Sequence, residues 1–404
     1  MVSVKEQYEA FPYPERDPED EKTRLITGSP SHPLEMDHFL WQGKRDWSQP
    51  LNVLVGGGGT GDGLIQLATL LDKAGAAAKI TYLDLSTASR AVAEARAAMR
   101  GLPNIAFHTA SLLDAADFGQ FDYIDCCGVL HHLPDPAEGF RALRAALAPG
   151  GGLGFMVYAP YGRSGVYPLQ EAFGALFEGL SPEQRLARAK TIAATLPEGH
   201  PFASNRNLGD HHKSDAGFYD LLLHGQDRAF SVAELLGVLG ETGWDLASFT
   251  TPAIYDLAQI TEVPEGMGKP EQMAVAEKLR GTIRMHTAYA VPQGSGATIA
   301  RGTDRSLVPH LRGVQRQALA KAVSHGRALP LRVGQLSAEI SLPRGAAPVL
   351  AAIDGRRSLD EIARAARFDA LGFGTVWAQV EAALAPWGLL LYSGLLRNGG
   401  RARG

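Results

Sequence analysis

Leu51-Asn52-Val53-Leu54-Val55-Gly56-Gly57-Gly58-Gly59-Thr60-Gly61-Asp62-Gly63, followed by Leu64-Ile65-Gln66-Leu67-Ala68-Thr69-Leu70-Leu71, is the stretch from which the rest of the chain is read. A run of β-formers gives way to glycines, and Leu64, Leu67, Ala68 and Leu71 then recur at helical spacing, so the order is strand, tight turn, helix. Glycine suits such a turn because the backbone must reach positive φ and let a ligand approach closely. The helix that follows aims unpaired N–H groups at whatever is bound. The run alone does not name that ligand. Gly56, Gly58 and Gly61 fit the dinucleotide spacing G-x-G-x-x-G, while Gly57, Gly59 and Gly61 fit the tighter G-x-G-x-G.

Beyond the turn the chain keeps alternating between strand and helix. Residues 79–86 read as a second strand carrying Asp84 near its end, 89–100 as an Ala/Arg-rich helix, and 105–108 as a third strand. With glycines upstream, an acid at that strand end can accept hydrogen bonds from both ribose hydroxyls of an adenosine. Residues 121–127 form a fourth strand that runs into Gly128-Val129-Leu130-His131-His132-Leu133-Pro134-Asp135-Pro136. Helical spacing over 138–147 is stopped by Ala148-Pro149-Gly150-Gly151-Gly152, and 153–158 is a fifth strand.

Taken together, these stretches resemble a class I S-adenosylmethionine-dependent methyltransferase. The turn from Val53 to Gly61 resembles that family's first motif and Asp84 its ribose-binding acid. The Gly128 to Pro136 loop and the Pro-Gly-Gly turn resemble its later motifs. The resemblance is dense over residues 50–160, extends thinly to 293, and disfavours an NAD-linked Rossmann enzyme. It implies a Rossmann-like α/β fold: a seven-stranded, mostly parallel sheet with helices on both faces. The last strand, over 286–292, would insert antiparallel between the fifth and a sixth at 244–250. It further implies S-adenosylmethionine across the C-terminal strand ends, held by Gly56, Gly57, Gly59, Gly61 and Gly128, with Asp84 and Leu85 at the ribose. Ala110-Ser111-Leu112-Leu113-Asp114 departs from the family's Gly-Asp-Ala pattern. Ser111 with Leu112 is the expected adenine contact, and Asp114 a second. Val55 also departs, standing where many members carry an acid near the methionine end, so the donor's amino group is expected on the backbone carbonyls of Gly56 or Gly128 or on a residue of the N-terminal cap.

Methyl transfer from a sulfonium is an in-line displacement, which asks for alignment, water exclusion and, for some acceptors, proton removal. His131 and His132 after the fourth strand, Tyr161, and His211 beside Asp210 are the candidate catalytic residues, each with a structural role as its competitor. Residues 160–230 exceed what a bare core needs and are expected to form a lid and acceptor pocket. Tyr158, Tyr167, His224 and Arg228 are its candidate substrate contacts. The aromatic and charged first 48 residues are expected to cap the cofactor site, with His38 on the cofactor and Tyr13 on the substrate, and Arg45 as a further candidate.

A Gly294-Ser295-Gly296 linker leads into residues 294–396, whose order of strands and helices resembles a small α+β, winged-helix-like module. It is expected to deliver substrate or mediate a homodimer, and 397–404 to be a flexible tail. The core domain is accordingly placed at 49–293. Over 404 residues the net charge is −4, which gives no general pull toward nucleic acid or anionic membrane. No apolar run is long enough to span a bilayer, and Met1 to Glu6 has no signal-peptide h-region, so a cytoplasmic location is expected. Cys126 and Cys127 are expected to act as small hydrophobes in a buried strand, and no metal site is expected. A small-molecule acceptor is favoured. A protein or RNA acceptor docked on the C-terminal module, or a non-catalytic S-adenosylmethionine binder, are the alternatives.

Overall fold

The computed structural model describes residues 2–296 and 298–398. Seven strands form the main sheet: β1 (Leu51–Gly56), β2 (Ala78–Asp84), β3 (Ile105–Thr109), β4 (Phe121–Cys127), β5 (Leu147–Tyr158), β6 (Trp244–Phe249) and β7 (Met285–Pro292). Their order is β3-β2-β1-β4-β5-β7-β6, with β1 to β5 parallel and β7 antiparallel to both β5 and β6. Side chains alternate across the sheet. Val53, Val55 and Tyr123 pack into one core with Leu64 and Tyr82, while Leu54, Ile124 and Cys126 pack into the other with Phe140, Phe155 and Trp244. Burial on both faces is why β1 reads as an apolar run from Val53 to Val55, after the exposed Asn52.

Helices α1 (Val4–Ala10) and α2 (Pro33–Leu40) belong to the N-terminal extension. Five more flank the sheet: α3 (Asp62–Ala74), α4 (Thr87–Met99) and α5 (Pro136–Ala145), and, after an insertion containing α6 (Val166–Leu176), α7 (Pro182–Ala193) and α8 (Asp215–Leu222), α9 (Val232–Glu241) and α10 (Lys269–Arg280). α9 opens on the Ser231–Glu234 capping box that its sequence signals. The fifth strand is longer than its sequence suggests. Pro149 to Gly152 is taken into β5, whose register against β4 shifts there, and Gly151 and Gly152 fit because Asp122 O and the Leu40 side chain crowd their α-carbons.

The C-terminal part holds β8 (Pro309–Leu311), α11 (Arg316–Ser324), the hairpin β9 (Leu329–Val333) and β10 (Leu336–Ile340), α12 (Ala347–Ala352), α13 (Leu359–Ala365), α14 (Ala370–Leu384), β11 (Leu390–Tyr392) and α15 (Leu395–Asn398). It has its own core around Leu319, Val349, Ile362 and Trp377. The β9–β10 hairpin is not paired with the β8–β11 ladder, so the winged-helix likeness rests on element order alone. Arg397 does not belong to a loose tail: it lies in α15 and pairs with Glu361 at 3.1 Å. The rest of the expected tail, 399–404, lies outside the described residues.

The extension divides its duties. α2 sits in the core through Met36, Phe39 and Leu40, and its buried Asp37 accepts hydrogen bonds from Ser393 Oγ at 2.6 Å and from the Gly394 amide. Glu35 pairs with Arg312. Residues 8–16, by contrast, cross the glycine turn as a strap. Thr60 Oγ1 donates to Pro14 O at 2.6 Å, Ser86 Oγ to Tyr8 O at 3.1 Å, and the Glu9 carboxylate accepts from the Thr87 and Ala88 amides at the start of α4. Farther along, Glu21 meets the fully buried Arg96 at 2.6 Å.

Candidate active site

A cavity of about 390 Å³ opens at the C-terminal ends of β1, β2, β4 and β5. Its turn end is built from backbone. Gly57 and Gly59 have φ of +67° and +51°, and a Cβ on Gly57 would lie 2.4 Å from Val129 Cγ2. Gly61, at φ +97°, is the N-cap of α3 and shapes the turn from outside the cavity wall. The Asp84 carboxylate accepts the Gly59 amide at 2.8 Å on one oxygen and the Ser86 amide at 2.8 Å on the other, and Tyr82 donates its hydroxyl to Gly59 O. Each carboxylate oxygen keeps a second lone-pair direction for a ligand. Leu85, Ser111, Leu112 and Gly128 complete this end.

Charge at the turn end is uneven. Burial raises the pKa of Asp62, but Arg16 at 2.6 Å and Arg96 at 2.8 Å outweigh it and hold the carboxylate low. Burial raises Asp84, against the two backbone donors. Asp125 is raised to about 6 by burial, opposed by Ser31 and Tyr123 hydroxyls.

The opposite end is built from side chains of distant segments. Tyr8 donates to Asp220 Oδ1 at 3.0 Å and Tyr158 to Asp220 Oδ2 at 3.1 Å. The rings of His132 and His224 stack with centroids 3.8 Å apart. His132 Nδ1 lies 2.9 Å from Gln226 O, which fixes the proton on Nδ1 and leaves Nε2 unprotonated in the neutral ring. His224 is set the other way. Its Nδ1 accepts the Gln226 amide at 3.1 Å, so Nε2–H faces the Tyr8 hydroxyl at 3.3 Å. Arg163 stacks 3.6 Å over the Tyr158 ring and pairs with Asp227 at 2.9 Å.

Among the described residues, two clusters bring potential ligand atoms within 4.8 Å of one another: His132 with Asp220 and His224, and His131 with His132 and Asp227. Sequence spacing holds no hint of either, because the acids come from the insertion. The hydrogen bonds favour a proton-ordered network over a metal centre. A ligating imidazole donates its far N–H, whereas the far nitrogen of His224 accepts one. Asp227 is already neutralised by Arg163.

The sequence-derived candidates separate cleanly. Gly56, Gly57, Gly59, Asp84, Leu85, Ser111, Leu112, Gly128, His132, Tyr13 and Tyr158 line the cavity. His224 and Tyr167 stand behind that wall, on His132 and Arg163 respectively. His131 is buried against Tyr158 with neither ring nitrogen paired, and burial pushes its pKa well below the ordinary value, so it fills space as a neutral ring. His38 is not at the cofactor site. It is buried against Tyr392, accepts that residue's amide, and is held neutral by burial, with a pKa of about 3. Tyr161, His211 and Arg228 also miss the cavity: His211 packs on Phe202 and His212, and Arg228 borders a shallower surface hollow with Asp135 and Glu234. Arg45 stacks on Trp41 and Trp47. Cys126 is buried as expected, but Cys127 is accessible and opens into the cavity because β4 alternates. Residues missed from the sequence are Tyr8, Asp125, Arg163, Asp220 and Gln226. Of these, Tyr8 and Arg163 lay in stretches marked by their aromatics.

Residues 54–153 match the family model of a methyltransferase domain. An uncharacterized protein of Synechococcus sp. is 33% identical over 204 residues, covering 49% of this chain and 48% of that one. A ubiquinone biosynthesis O-methyltransferase of Albidiferax ferrireducens is 33% identical over 105 residues, covering 26% of this chain and 38% of that one. The chain thus spans less than half the length of these curated relatives. Among solved structures, PKMT2 from Rickettsia typhi, also determined in complex with AdoHcy, superposes with a TM-score of 0.62 at 15% identity over 92% of this chain and 76% of that one. The core is that of a class I S-adenosylmethionine-dependent methyltransferase with a Rossmann-like fold. The side chains and backbone at the turn end fit that methyl donor: a glycine turn lining the cavity, held tight because a Cβ at Gly57 would collide with Val129, and a carboxylate with free lone pairs at the end of β2.

Proposed function

We propose that the protein transfers a methyl group from S-adenosylmethionine to a small molecule bearing a protic oxygen or nitrogen. One observation carries this reading: a single cavity joins the glycine turn to the His132, Tyr8, Tyr158 and Asp220 network. Gly57, Gly59 and Asp84 hold the donor, which supplies an electrophilic methyl group on a sulfonium. His132, with its proton fixed on Nδ1, accepts the acceptor's proton at Nε2, where no protein group competes among the described residues. Asp220, fixed by two tyrosine hydroxyls, orients the acceptor. The strap and the insertion exclude water. The O-methyltransferase named among the relatives agrees with a small acceptor, and a concave cavity of about 390 Å³ accommodates one better than a macromolecular surface.

Calorimetry with S-adenosylmethionine, S-adenosylhomocysteine and NAD tests the donor. Both sulfur ligands are expected to bind and NAD not to, and Asp84→Ala to weaken binding by about 1–3 kcal/mol. Release of S-adenosylhomocysteine with a panel of small phenols, alcohols and amines tests the acceptor. His132→Gln is expected to lower kcat while leaving donor affinity in place. NAD binding without binding of either sulfur ligand overturns the reading.

A further inference from the structure

We infer that Asp125 is the counter-ion for the α-ammonium group of the bound methyl donor, supplied from β4 because β1 ends in an apolar residue. The inference rests on the function proposed above and concerns a residue that neither the glycine motif nor the Asp84 position points to. Val55, at the end of β1, is buried and carries no charge, yet Asp125 is its register partner on β4. Partners in a parallel pair present their side chains to the same face. The carboxylate therefore emerges at the level of Val55, beneath the start of α3. A Cβ on Gly63 would lie 3.6 Å from Asp125 Oδ1 and 2.5 Å from Ser31 Oγ.

The surroundings of Asp125 set it apart from the other acids of the cavity. Asp62 has Arg16 and Arg96, Asp210 has Lys213 and Arg284, Asp84 has two backbone amides, and Asp220, at the acceptor end, has two tyrosine hydroxyls and the nearby Arg163. Asp125 is 2% exposed and has only neutral donors: the Tyr123 hydroxyl at 3.3 Å and Ser31 of the extension. Tyr289 on β7 and Cys126 and Cys127 on its own strand are the other titratable groups beside it. Among the described residues no Lys, Arg or His pairs with it. A buried carboxylate without a cation is costly unless something brings one. The methyl donor brings two positive groups. Of these only the ammonium has N–H bonds to give to carboxylate oxygens.

Burial raises the pKa of Asp125 to about 6, so the free protein is largely ionised there at neutral pH, and an ammonium would hold it ionised. Donor affinity should therefore fall as the pH drops through 6.

The test compares S-adenosylhomocysteine with its des-amino analogue by calorimetry, on the full chain and on Asp125→Asn, at pH 7.5 and 5.2. Wild-type protein is expected to prefer the amino ligand by roughly 10- to 100-fold at pH 7.5 and by much less at pH 5.2. Asp125→Asn should lose that preference while binding the des-amino analogue as before. If the variant does not fold, the pH dependence of the wild-type preference gives the same reading. A preference that survives in Asp125→Asn, or that does not change with pH, overturns the inference alone. Failure of the wild-type protein to bind S-adenosylhomocysteine at all overturns the proposed function, and this inference with it.

Discussion

The two ends of the cavity are made by different means. The turn end is backbone and strand termini: Gly56 to Gly59, Asp84, Ser111 and Gly128 come from consecutive βα units of one sheet, and each position is fixed by its strand. The far end is side chains converging from distant segments, two of them set by the Gln226 backbone. Its central hydrogen bond, Tyr8 to Asp220, joins residues 212 positions apart. A site made by a sheet tolerates little change in backbone and much in side chain, whereas a site made by converging side chains is expected to behave the other way.

The strap joins the two ends, and its anchor is where the largest effect is expected. Arg96 is 1% exposed and holds Glu21, Thr60 O and Asp62 at once. Arg96→Met leaves Glu21 buried with only Arg100. The expected loss is about 3 kcal/mol of stability, the lower part of what breaking a buried pair costs, because Arg16 stays on Asp62. Chemical denaturation measures it. A loss below about 1 kcal/mol would mean the strap is held by its backbone contacts. The comparison breaks at its strong end with Gly57→Ala. The added Cβ meets Val129 Cγ2 at 2.4 Å and Cγ1 at 2.7 Å, so no rotamer of Val129 clears it, and φ is +67°. Affinity for S-adenosylhomocysteine should fall by more than about 100-fold in calorimetry. A tenfold loss or less would show that the turn is more pliant than its geometry implies.

These two ends also differ in how far the sequence reveals them. Val53 to Leu71 carries the strand, turn and helix in its own residues, and Asp84 and Ser111 follow from counting strands, so the sheet and its turn end were legible. Tyr8, Asp220 and Gln226 were not, because no periodicity links α1 to α8, and only the folded insertion brings them to His132. His38 is the converse case. Its aromatic, charged neighbourhood suggested a cofactor contact, but the same side chains serve to bury α2 against β11, a partner more than three hundred residues on. At Val55 the sequence shows only that an acid is absent. The register of β1 with β4, which brings Asp125 beside it, is a property of the sheet and not of either strand.

Asp125 sharpens the comparison from the stability side. Its pKa is raised from the ordinary 3.8 to about 6 by burial, so the folded chain holds that proton more tightly than the unfolded one. The stability contributed by protonation is fully present below pH 3.8 and lost as the pH rises through 6. Above that pH the unliganded protein bears a cost of about 1–3 kcal/mol, because each tenfold difference in proton affinity between the folded and unfolded chain is worth about 1.36 kcal/mol. Asp125→Asn should thus be more stable than wild type to denaturant at pH 7.5 and no more stable near pH 4, while binding the donor less well. Lower stability at pH 7.5 would mean that the carboxylate is structural.

The smallest effect expected is the one that separates the two ends most directly. Tyr8→Phe removes one of the two hydroxyls that fix Asp220 and leaves His224 Nε2–H without its partner, but it touches no backbone at the turn. Tyr158 still donates to the other carboxylate oxygen, so Asp220 keeps its place at the loss of one hydrogen bond, about 0.5–1.5 kcal/mol. With the fastest acceptor from the panel, kcat/KM should fall roughly 3- to 10-fold by that arithmetic, while S-adenosylhomocysteine affinity stays within twofold of wild type. Tyr8 O, the strap atom bonded to Ser86, is backbone and survives the substitution. An equal fall in donor affinity would mean that the Tyr8 hydroxyl also positions the strap over the glycines, and that the cavity is one coupled site rather than two ends made by different means.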